Sequence, residues 1–233
     1  MQKIFIFFCV FMLFMSAHAA TIIGSSTLMS QSYANQLEAW LGEGSISVSR
    51  VFYKQTGDGL TSTHFHNAVD GQGRTFTLLR VSSSNNQIVG GYNQVSWRSN
   101  GTYNFTPYYG SGNITDGTSF LFNLSAGTLF RQNWKLGNTN GAAYYEAYNH
   151  TSYGPTWGGG HDLYVDSTLQ SGYGYASYSY GTYNWSNQNL TPGYSASYTY
   201  SVMEVYTINN VVPEPASMVL FALGCALFFV RRK

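Results

Sequence analysis

Thr61-Ser62-Thr63-His64-Phe65-His66-Asn67-Ala68-Val69, then Asp70-Gly71-Gln72-Gly73, then Arg74-Thr75-Phe76-Thr77-Leu78-Leu79-Arg80-Val81, is the stretch on which the fold turns. Its first part reads as a short helix. Thr61 or Ser62 can cap it, and Phe65, Ala68 and Val69 recur at the spacing of one helical face. The two glycines force a turn. From Arg74 onward, short runs of branched and aromatic residues take over, which is the composition of strands. Upstream, Thr27 to Leu41 reads as an amphipathic helix with Tyr33, Leu37, Trp40 and Leu41 on one side and Gly42 as its stop. Ile46 to Lys54 is strand-like and runs to a turn at Gly57-Asp58-Gly59. Downstream, strands are expected at Gln87–Trp97, Ser119–Leu124, Thr128–Leu136, Asp162–Val165 and Tyr198–Ile208, separated by Gly-, Asn- and Ser-rich connections. Two short helices ahead of many strands predict an α+β domain, predominantly β, built on a β-sandwich.

The two ends of the chain differ from its middle. Lys3 precedes an unbroken apolar run, Ile4 to Met15, and small residues follow in Ser16-Ala17-His18-Ala19-Ala20. This is the pattern of a secretory signal peptide over 1–19, cleaved between Ala19 and Ala20. At the other end, Pro213-Glu214-Pro215 leads into Ala216 to Val230, which carries no charge, and Arg231-Arg232-Lys233 closes the chain. As a helix, 216–230 would be about 22 Å long, short of the ~30 Å hydrocarbon core, with its basic cluster on the cytoplasmic side.

Between these ends, 20–212 holds seven basic and nine acidic residues, all 20 Tyr and all five Trp. Cys9 and Cys225 fall in the end segments, so this domain is expected to have no disulfide and no thiolate site. The whole chain is 9% charged, with a formal net charge of +1, against about 25% charged in average proteins. Such charge poverty excludes a basic nucleic-acid binder, which needs clustered Lys and Arg. An aromatic content of 17% excludes a disordered chain.

Few residues suggest chemistry. In Gly158-Gly159-Gly160-His161-Asp162, adjacent strand side chains point to opposite faces. A buried, hydrogen-bonded His beside a turn-forming Asp is therefore the preferred reading over a catalytic pair. His64 and His66 would diverge by about 200° on a helix. A zinc site there would need a further ligand from Asp70, His150, His161 or Glu204, and neither a metal nor another cofactor is expected. Gly-x-Ser-x-Gly, P-loop and dinucleotide signatures are absent. No residue is assigned a catalytic role; His66, Asp70, His161, Asp162 and Glu204 are the candidates. Ser171–Tyr200 holds eight Tyr, and the pairs 173/175, 178/180 and 198/200 fit a strand face. Tyr combines a flat apolar ring with a hydroxyl, which suits sugar stacking and protein contacts. Trp134, Trp157 and Trp185 could join such a platform, although Trp40, Trp97 and Trp157 read first as packing residues.

Several of these blocks together resemble the TLDc (TLD) domain. They are Phe65-His66, Asp70–Gly73, Thr75–Arg80, Gln87–Tyr92 with Ser96-Trp97, Phe120–Leu124, Tyr153-Gly154-Pro155-Thr156-Trp157-Gly158-Gly159-Gly160-His161-Asp162-Leu163 and Glu204-Val205-Tyr206. They occur in the family's order over about 35–208. The resemblance implies a sandwich of two antiparallel sheets with a few short helices, and an interaction module rather than an enzyme. Eukaryotic TLDc proteins are linked with protection against oxidative stress and with binding the proton-pumping V-ATPase, a partner absent from a bacterial exterior. Segments 100–118 and 138–150 look expanded, and 171–200 is richer in Tyr than the family.

Residues 213–233 resemble the PEP-CTERM sorting tail. That implies an exported protein held in the bacterial inner membrane until an exosortase cleaves near Pro213-Glu214-Pro215, then placed at the cell surface or in an exopolysaccharide matrix. The expected function is an exported, surface-sorted, non-catalytic binding or matrix-associated module whose partners are exopolysaccharide or envelope proteins. The alternative is a secreted hydrolase acting on polysaccharide or peptide through His66, His161 and nearby carboxylates.

Overall fold

The computed structural model describes residues 19–105, 119–132, 144–181 and 188–211. The expected signal-peptide core, the sorting motif Pro213-Glu214-Pro215, the helix 216–230, Trp134 and Trp185 lie outside the described residues. Among the described residues no helix is long and apolar enough to cross a membrane. Two α-helices, α1 (Gln31–Leu41) and α2 (Ser62–Val69), accompany twelve strands among the described residues. The strands are β1 (Thr21–Ile23), β2 (Ile46–Gln55), β3 (Thr75–Val81), β4 (Gln87–Asn93), β5 (Thr102–Phe105), β6 (Phe120–Asn123), β7 (Thr128–Arg131), β8 (Tyr145–Asn149), β9 (Leu163–Val165), β10 (Ser171–Ala176), β11 (Gln188–Asn189) and β12 (Ser197–Asn210). The class is α+β, predominantly β.

The helices form where the sequence places them, with one correction. Helix α1 starts at Gln31 rather than Thr27 because Ser30 is extended, at φ −85° and ψ 163°; the segment before it is bound to the Glu204 carboxylate, which accepts the Thr27 and Leu28 N–H groups, each at 2.8 Å. Ser30 then caps the helix by accepting from the Tyr33 N–H, and Gly42 ends it in the left-handed region at φ 72°. In α2, the Thr61 N–H donates to His64 Nδ1, so His64 serves the helix start.

The main sheet runs β1-β2-β12-β3-β4-β6-β7. Its pairs are antiparallel except β1, which lies parallel to β2. Both faces are buried. Alternation in β3 sends Phe76 and Leu78 toward α1, together with Tyr92, Phe122 and Tyr206. It sends Leu79 and Val81 the other way, together with Val89, Leu121 and Val205. That is why β3 reads as a nearly continuous apolar run.

A second layer covers this other face. It contains the β5–β8 pair, β9, β10 and β11, and Trp157 bridges Ala147 of β8 to Leu163 of β9. Strand β12 belongs to both layers. Its first residues pair with β10, and the rest pair with β2 and β3, with register shifts along the way.

The layers are pinned by tryptophans. Trp157 is fully buried, donates from Nε1 to the Tyr92 carbonyl at 3.3 Å, and meets Trp97 edge-on with ring centroids 5.1 Å apart. Phe65 of α2 meets Trp97 in turn. A Cβ at position 91 would lie 2.6 Å from the Trp157 ring, so only glycine admits the indole onto the strand. The expected strand Gln87–Trp97 stops at Asn93 because Trp97 turns inward and donates from Nε1 to Thr75 Oγ1.

Candidate functional site

The outer face of the second layer carries a file of aromatic rings. Tyr103 of β5 lies against Tyr145 and Tyr148 of β8, with centroids 4.3 and 4.5 Å apart. Tyr148 continues to His161 at 5.5 Å, His161 to Tyr164 of β9 at 5.7 Å, Tyr164 to Tyr173 of β10 at 5.2 Å, and Tyr173 to Tyr175 at 6.0 Å. All these rings are half-buried. Tyr148, His161 and Tyr164 stack in turn, with planes 25° and 14° apart, and Tyr173 is tilted by 35° against Tyr164. Tyr153 stands at right angles to Tyr164. Burial raises the Tyr103, Tyr164 and Tyr173 hydroxyls above their ordinary pKa, which keeps them as neutral donors.

At one end of this face a cleft of about 320 Å³ is lined by Gly160, His161, Tyr173, Tyr175, Ser177 and Tyr178. The Gly158–Asp162 block builds it. The Asp162 carboxylate is fully buried and accepts the N–H groups of Ser177 (2.6 Å), Tyr178 (2.7 Å) and Ser179 (2.8 Å). Burial pushes its carboxyl up to about 7, against the pull of those N–H donors. Gly159 N–H donates to Ser179 Oγ, tying the two loops a second time. A Cβ at Gly158 would strike the Asp162 carboxylate, and one at Gly160 would lie 2.2 Å from the Tyr178 ring. His161 holds φ 59°, a left-handed conformation unusual outside glycine, and burial lowers its pKa, so its ring is neutral near pH 7.

The five candidate residues fall into three places. His66 is 5% exposed; its Nδ1 meets Asp70 Oδ1 at 2.8 Å, and its Nε2 faces the carbonyls of His150 and Tyr153, both at 3.1 Å. Asp70 also accepts from Ser99 Oγ. These two therefore meet, and they tie α2 to the loop that carries Tyr153. His161 and Asp162 are neighbours in sequence that part in space: His161 lines the cleft, and Asp162 is buried beneath it.

Glu204 belongs to the main sheet's other face. Besides Thr27 and Leu28 it accepts from Arg50 Nη1 at 2.5 Å and the Tyr206 hydroxyl at 2.8 Å. Burial alone would raise its carboxyl; the Tyr206 hydroxyl, the Leu28 and Thr27 N–H groups and Arg50 outweigh that and hold it below the usual range. Among the described residues no three His, Cys, Asp or Glu side chains gather closely enough to hold a metal ion.

Ala20 is buried inside the domain, with its N–H on Asn35 Oδ1 and its carbonyl accepting from Gln31 Nε2. The tyrosine pairs divide. Tyr173 and Tyr175 share the outer face as expected, whereas Tyr198 and Tyr200 are buried. Tyr178 is 48% exposed, while Tyr180 is buried with its hydroxyl donating to the Glu146 carbonyl. Sequence reasoning missed Tyr103, Tyr145, Tyr148 and Tyr164 as surface residues; Tyr164 lay in the expected strand Asp162–Val165, and the other three in segments to which no strand was assigned.

A sequence model of the TLDc domain matches residues 22–209. A second, of the PEP-CTERM protein-sorting motif, matches residues 211–233. No curated protein is similar enough in sequence to match the chain.

Proposed function

The chain belongs to the TLDc-domain family and ends in a PEP-CTERM sorting motif, and from that premise we propose that it is a non-catalytic binding module which holds matrix polysaccharide on its aromatic face. The sorting motif marks it for export, for transit through a membrane-anchored stage and for recognition by an exosortase. In this reading 1–19 leaves on export, 20–212 is the working domain, and 213–233 anchors the chain until processing. The final station is the cell surface or the matrix.

One observation carries the reading: a contiguous, half-exposed file of tyrosines on the outer face of the second layer of a charge-poor domain. Phenol rings offer apolar contact and hydroxyls at little entropic cost, which suits a neutral, hydroxyl-rich ligand. A hydrolase has less to rest on. General acid–base work needs groups that reach one substrate. Of the candidates, only His161 lines the cleft, while Asp162, His66 and Glu204 are committed to buried hydrogen bonds. The test is co-sedimentation of the exported protein with polysaccharide extracted from the matrix of the producing cells. Retention is expected, and free protein at every polysaccharide concentration would remove the proposal.

A further inference from the structure

Several structural costs gather at the cleft beside Tyr178. His161 sits in a left-handed conformation, at φ 59°. Such strain persists only where the surroundings enforce it, and it concentrates at functional sites. Asp162 places a carboxylate out of water to hold the backbone of Ser177, Tyr178 and Ser179. Gly160 lacks the side chain that would push the Tyr178 ring away. All three features fix one object, the Tyr178 wall, whose ring remains 48% exposed beside the cleft.

A fourth observation points to a ligand. Ser177 lines the cleft and is 7% exposed, yet among the described residues its Oγ has no hydrogen-bond partner. A buried hydroxyl left unpaired is costly, and native structures seldom retain one without a use. Among the described residues the lining contains no Lys, Arg, Asp or Glu. An acidic sugar would therefore find no cation to pair with. A volume of about 320 Å³ lies at the lower end of ligand pockets, room for a single ring rather than a length of polymer.

We propose that the cleft walled by Tyr178 and by Tyr173 and Tyr175 is a subsite for one neutral pyranose unit of a polysaccharide chain, whose hydroxyl satisfies Ser177. The sugar ring lies against the Tyr178 wall, and the rest of the polymer continues along the tyrosine file through Tyr164 and Tyr148. Asp162 is the positioning residue: it touches no ligand and fixes the loop that carries both Ser177 and Tyr178. This deepens the polysaccharide reading and rests on it.

The experiment titrates the full chain, in a non-glycosidic detergent, with a neutral β-1,4-glucan hexamer and, separately, with a polyuronate hexamer. The glucan is expected to bind and the polyuronate to bind at least tenfold more weakly. Ser177→Ala should weaken glucan binding about 3- to 10-fold, the loss of one hydrogen bond. The unliganded melting temperature should stay the same or rise, because the substitution removes a hydroxyl that has no partner. A merely structural serine would lower the melting temperature and leave affinity alone. Tyr178→Ala should weaken binding more than tenfold, and Tyr178→Phe, which keeps the ring, less than about threefold.

Glucan binding that responds to Tyr148→Ala and ignores Ser177→Ala and Tyr178→Ala would overturn the cleft while leaving the aromatic face in place. Preference for the polyuronate would overturn the neutral class. Binding of neither hexamer, together with free protein in the matrix co-sedimentation, would sink both the subsite and the face.

Discussion

The main sheet and the second layer solve opposite problems with the same residue types. The main sheet is buried on both sides, so its aromatic residues are packing: Phe76, Tyr92 and Phe122 lie inward beneath α1. The second layer buries only its inner side, and its outer tyrosines stay half in water. Their carboxylates differ in the same way. Glu204 on the main sheet is answered by a guanidinium, a hydroxyl and two N–H groups, and it clamps the segment before α1. Asp162 in the second layer is answered by backbone N–H groups and shapes a cleft. An acidic residue therefore marks fold in one region and a surface in the other.

The sharpest way to break this comparison is at the joint between the regions. Trp157→Ala should cost about 3–5 kcal/mol, the range for truncating a buried large aromatic. It should also loosen the second layer more than the main sheet. Denaturant melts and amide exchange resolved by strand would check this, and uniform loss of protection across both layers would count against two separable regions.

Glu204→Gln comes next, at about 2–4 kcal/mol, because Arg50 loses its partner on the buried side. A folded pKa below the unfolded value gives stability that is present above about pH 4.3 and is lost as pH falls through the folded pKa. The wild type should therefore lose stability on acidification below about pH 4.3 more steeply than Glu204→Gln. Parallel pH–stability curves would remove Glu204 from that role.

Tyr148→Ser and Tyr164→Ser should cost less than the inner-layer changes, about 1 kcal/mol each, as half-exposed positions do. Their main effect should appear in polysaccharide retention. A melting-temperature loss as large as that of Trp157→Ala would mean that these rings are packing after all.

Much of the fold was legible because its signals are local. Gly42 ends α1, Thr61 opens α2, and the branched and aromatic run of β3 declares a strand. The start of α1 was misplaced because the break falls at Ser30, which is extended, while the segment before it is bound by Glu204, far away in sequence. Strand β10 was hidden by its glycines. In Ser171-Gly172-Tyr173-Gly174-Tyr175-Ala176 the small residues face inward, where a Cβ at Gly174 would strike the buried Tyr198 ring. Glycine there makes room for an inner tyrosine while Tyr173 and Tyr175 turn out. The period-two rule succeeded for 173/175 because β10 is a strand. It failed for 178/180 because Asp162 gathers that backbone into a loop instead. The file of outer rings was illegible for the same reason that it forms: its members come from β5, β8, β9, β10 and the Gly160 turn, and only the sheet brings them together.

The most direct measurement is retention of the exported chain on a neutral β-glucan, compared with a variant carrying Tyr148→Ser, Tyr164→Ser and Tyr173→Ser together. The parent chain is expected to be held, and the triple variant to elute unretained while still folded, with a melting temperature about 6–12 °C lower, as three losses of about 1 kcal/mol imply. Equal retention of the two folded proteins would contradict that expectation.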